Sequence, residues 1–196
     1  LYVITDSNRD TLINTVNQDL QALMDWGADN RTTFEPKKTH SMVISKKEKR
    51  AFDPTGIVMG GREVKQVQEM KLVGFTFDAK LNWSAMVKGL AKKARTRVDA
   101  IRRMARSLDS KNMLTMYSAF VRPILEYGNT LFMGAKPTHL SKLDRVQQTM
   151  ERIGGFKAEP LAARREAALI ALTLKQLAGD CRELLQEYAP VLVTVK

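Results

Sequence analysis

The feature that most limits the fold is a change of hydrophobic period at Asn82-Trp83. Beyond it, apolar residues recur every three or four positions, and no convincing strand follows until the last few residues. Four helical patterns cover about 84–107, 110–128 with an interruption at Pro123, 138–153 stopping at Gly154-Gly155, and 161–188 opening at Pro160. Pro160 suits a first helical position because its missing N–H would have no partner there, and paired glycines suit a helix stop. The part before residue 80 is mixed. Leu1 to Thr5 is a β-type run closed by Asp6-Ser7-Asn8. From Asp10, Leu12, Ile13, Val16, Leu20, Leu23 and Met24 predict a helix to about Trp26-Gly27, with capping side chains and negative charge supplied from Asp6 to Asp10. After a break at Glu35-Pro36, Ser41–Ser45 reads as a strand, followed by a charged loop over 46–50. Gly60-Gly61 is a hairpin spacer between Ile57–Met59 and Arg62–Val64, and Met70 to Phe77 reads as one further strand. The expected class is α+β: a small incomplete antiparallel sheet with one packed helix, then an all-α region, with the best boundary near residue 80.

Composition bears mainly on partners. The chain has 196 residues and carries 32 basic against 21 acidic side chains, a net +11. Residues 1–50 contribute +1, 51–82 nothing, 83–125 +8 and 126–196 +2, so one stretch holds nearly all the excess. Such a field draws polyanions, of which nucleic acid is the commonest inside a cell. One cysteine and two histidines argue against a disulfide scaffold or a Cys/His metal site, and no apolar run is long enough to span a membrane.

On a helical wheel, Val87, Leu90, Ala94, Val98, Ile101, Ala105 and Leu108 fall in one arc. Lys88, Lys92, Arg95, Arg102, Arg103 and Arg106 fall opposite, with Lys93 and Arg97 at the flanks and only Asp99 offsetting them. This predicts a cationic ridge that reads a polyphosphate backbone rather than bases. Ordinary solvated faces mix signs, because like charges four apart weaken a helix. An anionic membrane surface or a calmodulin-like partner, and plain solvent, are the rival readings of the ridge.

Smaller signals are structural by default. Asp6 and Asp10 fit helix capping better than metal binding, and Asp19 stands with them; Lys37-Lys38-Thr39 is a loop group with a lesser claim on phosphate. The ten methionines read as adaptable core filler, Cys181 as a buried thiol beside Leu177, Leu184 and Tyr188, and Trp26 and Trp83 as packing residues. No phosphate-cradling Gly loop, nucleophile grouping or metal-spaced cluster is present.

Taken in order, the pieces resemble a known family. Asp19-Leu20 with Trp26, then Phe34, Lys38-Thr39 and Met42, resembles the segment after the catalytic Asp-Asp in reverse transcriptases of non-LTR (LINE-type) retrotransposons. Lys71-Leu72-Val73-Gly74-Phe75-Thr76-Phe77-Asp78 with Leu81-Asn82-Trp83 is similar to that family's Tyr-Leu-Gly-Val-x-Phe-Asp…Leu-x-Trp signature. Tyr117, Val121-Arg122-Pro123 and Glu126-Tyr127-Gly128 follow its Val-Arg-Pro-x-Leu-Glu-Tyr helix. Leu143-Asp144-Arg145-Val146-Gln147 follows its Leu-Asp-x-Val-Gln helix, and Leu161 with Arg164-Arg165 a late Leu…Arg-Arg element.

The resemblance implies that 1–80 is the last part of a polymerase palm with its primer-grip hairpin, 81–156 a helical thumb, and 157–196 a helical extension. It places Lys38 near the incoming nucleotide and Leu72-Val73-Gly74 in the primer grip. Lys88, Lys92, Lys93, Arg95, Arg102, Arg103 and Arg106 would then face an RNA/DNA template–primer duplex, read through its backbone. Leu72 and Val73 replace the family's usual aromatic and Leu, which puts the primer contact in doubt. The Ala-Asp-Asp motif that holds Mg²⁺ in the parent enzyme is not in this sequence, and the resemblance puts it upstream of Leu1. The expectations are therefore Mg²⁺ for the intact parent and no cofactor in this chain. Its partners would be the duplex and the upstream remainder of the polymerase, with no membrane, inside the cell. A non-enzymatic nucleic-acid-binding helical module is the alternative.

Overall fold

A computed structural model describes residues 3–5, 8–44, 54–132 and 134–178. The chain divides into two compact units, Leu1–Asn82 and Trp83–Lys196. Leu1, Tyr2, Asp6, Ser7, the loop at 46–50 and the segment carrying Cys181, Leu184 and Tyr188 lie outside the described residues, as does the side chain of Leu177.

The first unit is built on α1 (Arg9–Asp29). Asn8 starts it: the side-chain oxygen accepts from the amides of Asp10 (2.9 Å) and Thr11 (3.3 Å), and Asp10 puts negative charge in the first turn. Ile13 and Val16 bury one stripe against Ile57, Met59 and Val64, with Leu12, Leu20, Met24 and Phe34 packed around them. Asn17 fastens helix to hairpin, its amide donating to the Gly56 carbonyl and its oxygen accepting from the Val58 amide, both at 2.8 Å.

Among the described residues the β structure comprises three two-stranded ladders. Strand β1 (His40–Ser41) pairs in parallel with β4 (Lys65–Gln66). Strands β2 (Val58–Met59) and β3 (Arg62–Glu63) form the expected hairpin, with Gly60 (φ 55°) and Gly61 (φ 73°) supplying the two left-handed residues of its turn. Of the strand expected over Ser41–Ser45, Ser41 pairs as part of His40–Ser41, residues 42–44 are not a strand and Ser45 lies outside the described residues; Val3–Thr5 is not a strand.

The run from Met70 to Phe77 is not a single strand but a hairpin of β5 (Glu69–Leu72) and β6 (Phe75–Asp78). Leu72 pairs with Phe75, so Val73 and Gly74 form the whole turn at φ 48° and 83°. Val73 extends the alternation of Phe75 and Phe77 back into the two-residue turn and conceals it, although Met70 and Leu72 alternate in the other phase. The usual turn residue Asn or Asp is absent, and a β-branched side chain stands in the left-handed region at a cost of about 1–3 kcal/mol. Val73 is 82% exposed and so recovers little by packing. Val73→Asn is therefore expected to stabilise the protein by about 1 kcal/mol. The check is a higher urea midpoint at unchanged slope; a lower midpoint refutes the strain.

Among its described residues the second unit is built from α2 (Ser84–Arg102), α3 (Ser110–Met116), α4 (Arg122–Leu125), α5 (Pro137–Gly154) and α6 (Leu161–Ala178). The pattern expected to run to 107 stops being α-helical at Arg102, and a 3₁₀ turn follows at Ala105–Ser107. At the start of α2, Trp83 is buried with a left-handed backbone (φ 60°) and makes no side-chain cap. Between α3 and α4 the chain makes a π-helical turn, Tyr117–Val121, closed by the Arg122 amide on the Tyr117 carbonyl. Pro123 explains it. Proline has no N–H, and its ring collides with the carbonyl four residues back, so the helix widens before it.

The core joins Val87, Ala94, Val98 and Ile101 of α2 to Met113, Tyr117, Val121 and Leu125 and to Leu143, Val146 and Met150 of α5. At the end of α5 a Cβ on Gly154 would stand 2.6 Å from the Phe156 ring and 2.9 Å from Met113 Cβ, so no side chain fits. Gly155 closes the helix in the left-handed conformation. Ser110 Oγ reaches the exposed carbonyl oxygens of Gly154 (2.8 Å) and Gly155 (2.6 Å), tying the start of α3 to the end of α5.

Candidate nucleic-acid interface

Helix α2 separates its two chemistries cleanly. Met86, Val87, Leu90, Ala91, Ala94, Val98 and Ile101 are buried; Lys88, Lys92, Lys93, Arg95, Arg97, Arg102 and Arg103 are exposed, and Arg106 is exposed on the turn that follows. The helical part of this face is about 28 Å long at 1.5 Å per residue. Lys88 with Lys92 and Lys93 with Arg97 are like pairs four apart, costing a few tenths of a kcal/mol each. Burial of the large apolar residues contributes about 1.5–3 kcal/mol apiece, so packing holds the helix despite the repulsion. Among the described residues the ion pair on this face joins Arg102 to Asp99 at 3.9 Å, with both side chains more than half exposed. No ion pair to a described residue occupies Lys88, Lys92, Lys93, Arg95, Arg97, Arg103 or Arg106.

The face continues onto α5. Arg145, Val146 and Thr149 of α5 meet Arg95, Val98, Asp99 and Arg102 of α2 around a shallow recess of about 180 Å³. Sequence reasoning missed Arg145. Its helical position, beside buried Val146 and Gln147, marks it only as exposed; the packing of α5 on α2 brings it to the ridge.

The motif residues of the helical unit lie behind this face and hold it in shape. The Tyr117 hydroxyl, fully buried, donates to Gln147 Oε1 at 2.9 Å, and its ring packs against Phe156 at 5.6 Å. The Gln147 amide donates to Glu151 Oε1 (2.9 Å) and to the Glu159 carbonyl (3.1 Å), so every polar atom of this buried side chain is engaged. Burial pushes the Tyr117 phenol up to about 12, with the nearby Glu126 carboxylate acting in the same direction. Arg164 clasps Glu126 through Nε and Nη2 and Glu159 through Nη1, and the hydrogen bond to Glu126 raises its already high pKa further. Arg165, buried, pairs with Asp144 at 3.3 Å. Glu126, Asp144, Gln147, Arg164 and Arg165 thus join α4, α5 and α6.

The remaining candidates lie in the first unit. Lys38 is exposed at the end of a 3₁₀ turn, Pro36–Lys38, whose start is capped by the Glu35 carboxylate on the Lys37 amide at 3.1 Å. Leu72 is half-buried at the end of β5, with Val73 and Gly74 at the hairpin tip. Trp26 packs only in part: its ring lies 6.4 Å from Phe34 and the residue is 54% exposed. Asp19 is exposed on α1. Among the described residues no three carboxylate, imidazole or thiol side chains gather, so they make no seat that fits Mg²⁺.

These observations define a mixed α/β unit joined to a helical unit with one cationic face. The chain is similar to the RNA-directed DNA polymerase from mobile element jockey of Drosophila melanogaster, at 26% identity over 143 residues, 69% of this chain. That supports a relationship of the retrotransposon reverse-transcriptase kind. The aligned stretch spans 15% of the polymerase's length. No family model matches the chain, and no solved structure matches it.

Proposed function

We propose that this chain is part of a retroelement RNA-directed DNA polymerase, carrying the end of the palm and the primer-grip hairpin in 1–80, the thumb in 81–156 and a helical extension in 157–196. Its role is to hold the template–primer duplex by its backbone. The observation that carries this reading is the α2 face, where seven lysines and arginines among the described residues stand exposed without an acidic partner. Lys88, Lys92, Lys93, Arg95, Arg102, Arg103 and Arg106 take phosphates; Lys38 lies near the incoming nucleotide and Leu72-Val73-Gly74 meets the primer. In the intact parent enzyme Mg²⁺ would supply charge stabilisation for phosphoryl transfer. The described residues of this chain supply orientation and charge and no seat for that metal.

The test is a salt titration of an RNA–DNA hybrid. Five to seven phosphate contacts give a slope of roughly −4 to −6 in log K against log salt, nearly independent of base sequence. Primer extension by this chain alone is expected to be undetectable, and any metal-dependent extension overturns the assignment. A non-enzymatic binding module is the second reading, favoured by the helical unit carrying the cationic face on its own core. An in-frame Ala-Asp-Asp upstream of Leu1 decides for the polymerase. No described helix is long and apolar enough to cross a membrane. Tighter binding to anionic vesicles than to hybrid at equal salt would make the ridge an interfacial helix instead.

A further inference from the structure

We propose that the recess between α2 and α5 seats one backbone phosphate of the bound nucleic acid, with Arg145 forming the wall opposite the ridge. This deepens the proposed function and rests on it. Three guanidinium groups from two helices, Arg95, Arg102 and Arg145, border one hollow of about 180 Å³. Guanidinium forks match phosphate oxygens two at a time, which a row of lysine ammoniums does not. The floor is Val98 and Val146, both buried, so a phosphate entering here meets apolar carbon on one side and its Coulomb attraction is less screened than on the open ridge. The Thr149 hydroxyl donates to the Arg145 carbonyl at 2.8 Å, which leaves donation to the phosphate with the arginines.

Asp99 is the opposing group. It lies 3.9 Å from Arg102, too far for a tight pair, with both side chains mostly in water, so exchanging this carboxylate for a phosphate costs little. Yet while it carries its charge it repels the phosphate. The recess therefore makes two opposite demands on neighbouring residues. Removing Arg145 should weaken binding, and neutralising Asp99 should strengthen it.

The experiment measures anisotropy of a labelled RNA–DNA hybrid against the full chain and against Arg145→Gln, Asp99→Asn and Lys136→Gln. Lys136 is an exposed cation of the same unit that does not border the recess, so it matches Arg145 in charge alone. All three side chains at issue are exposed, and circular dichroism checks that each variant folds. Arg145→Gln is expected to lose about tenfold in affinity and to flatten the salt slope by about 1. Asp99→Asn should bind severalfold tighter, and Lys136→Gln should change affinity less than about twofold. Equal losses in Arg145→Gln and Lys136→Gln, or no gain in Asp99→Asn, overturn the recess while the steep salt dependence of the unaltered chain keeps the ridge. A hybrid that the unaltered chain does not bind with steep salt dependence overturns both.

Discussion

Replacing Arg102, Arg103 and Arg106 together by glutamate should abolish hybrid binding while leaving the protein folded. These three side chains cluster at the end of α2 and on the turn beyond it, exposed, and Arg102 has only the loose contact with Asp99. Charge-assisted bonds to phosphate at about 1.5 kcal/mol each make the loss on the order of a thousandfold at low salt, and reversal adds repulsion. The salt slope should fall by about 3. Helical content should hold, because Val98 and Ile101, which anchor this end of the helix, are untouched. Binding unchanged in the triple variant would mean that the face does not meet the nucleic acid.

The second large effect is on stability. Gln147→Leu should cost about 2–4 kcal/mol, read as a lower urea midpoint, because it strands a buried phenol and removes a donor from Glu151. The same network sets an alkaline limit. Below pH 10 Tyr117 is protonated in both folded and unfolded chains and contributes no pH dependence. Between about 10 and 12 the unfolded chain ionises while the folded one keeps its proton, so stability falls as pH rises. A shift of that size amounts to about 2–3 kcal/mol by pH 12. Tyr117→Phe should lower stability at neutral pH and flatten the alkaline limb; a limb of unchanged steepness would show that another group sets it.

Both effects depend on residues that the sequence revealed unequally. The faces of α2 were legible because the 3.6-residue period sorts apolar from cationic positions within one element. The Gly60-Gly61 turn was legible because two adjacent glycines name their own backbone conformation. The turn at Val73-Gly74 was not: Val73 continues the alternation of Phe75 and Phe77, and the residue that turns is the type least expected to do so. Arg145 was invisible as part of the cationic surface because its neighbours there come from another helix. The motif residues had the opposite fault. Glu126 and Arg164 are visible in the sequence as motif positions but not as partners, and the structure pairs them across 38 positions. A charged motif residue can be a brace, and only the fold tells which.

The widened turn at Tyr117–Val121 has a consequence for how this helix tolerates length changes. Relative to regular α-helix it accommodates one extra residue, and one residue is worth about 100° of rotation about the axis. The surplus at Ser118–Phe120 therefore sets the compass bearing of everything after it, including the carboxylate of Glu126. A one-codon deletion there would tighten the coil and swing that carboxylate away from its guanidinium partner, leaving Pro123 jammed against the turn behind it. The helix that looks irregular is thus the one whose length is least free to drift.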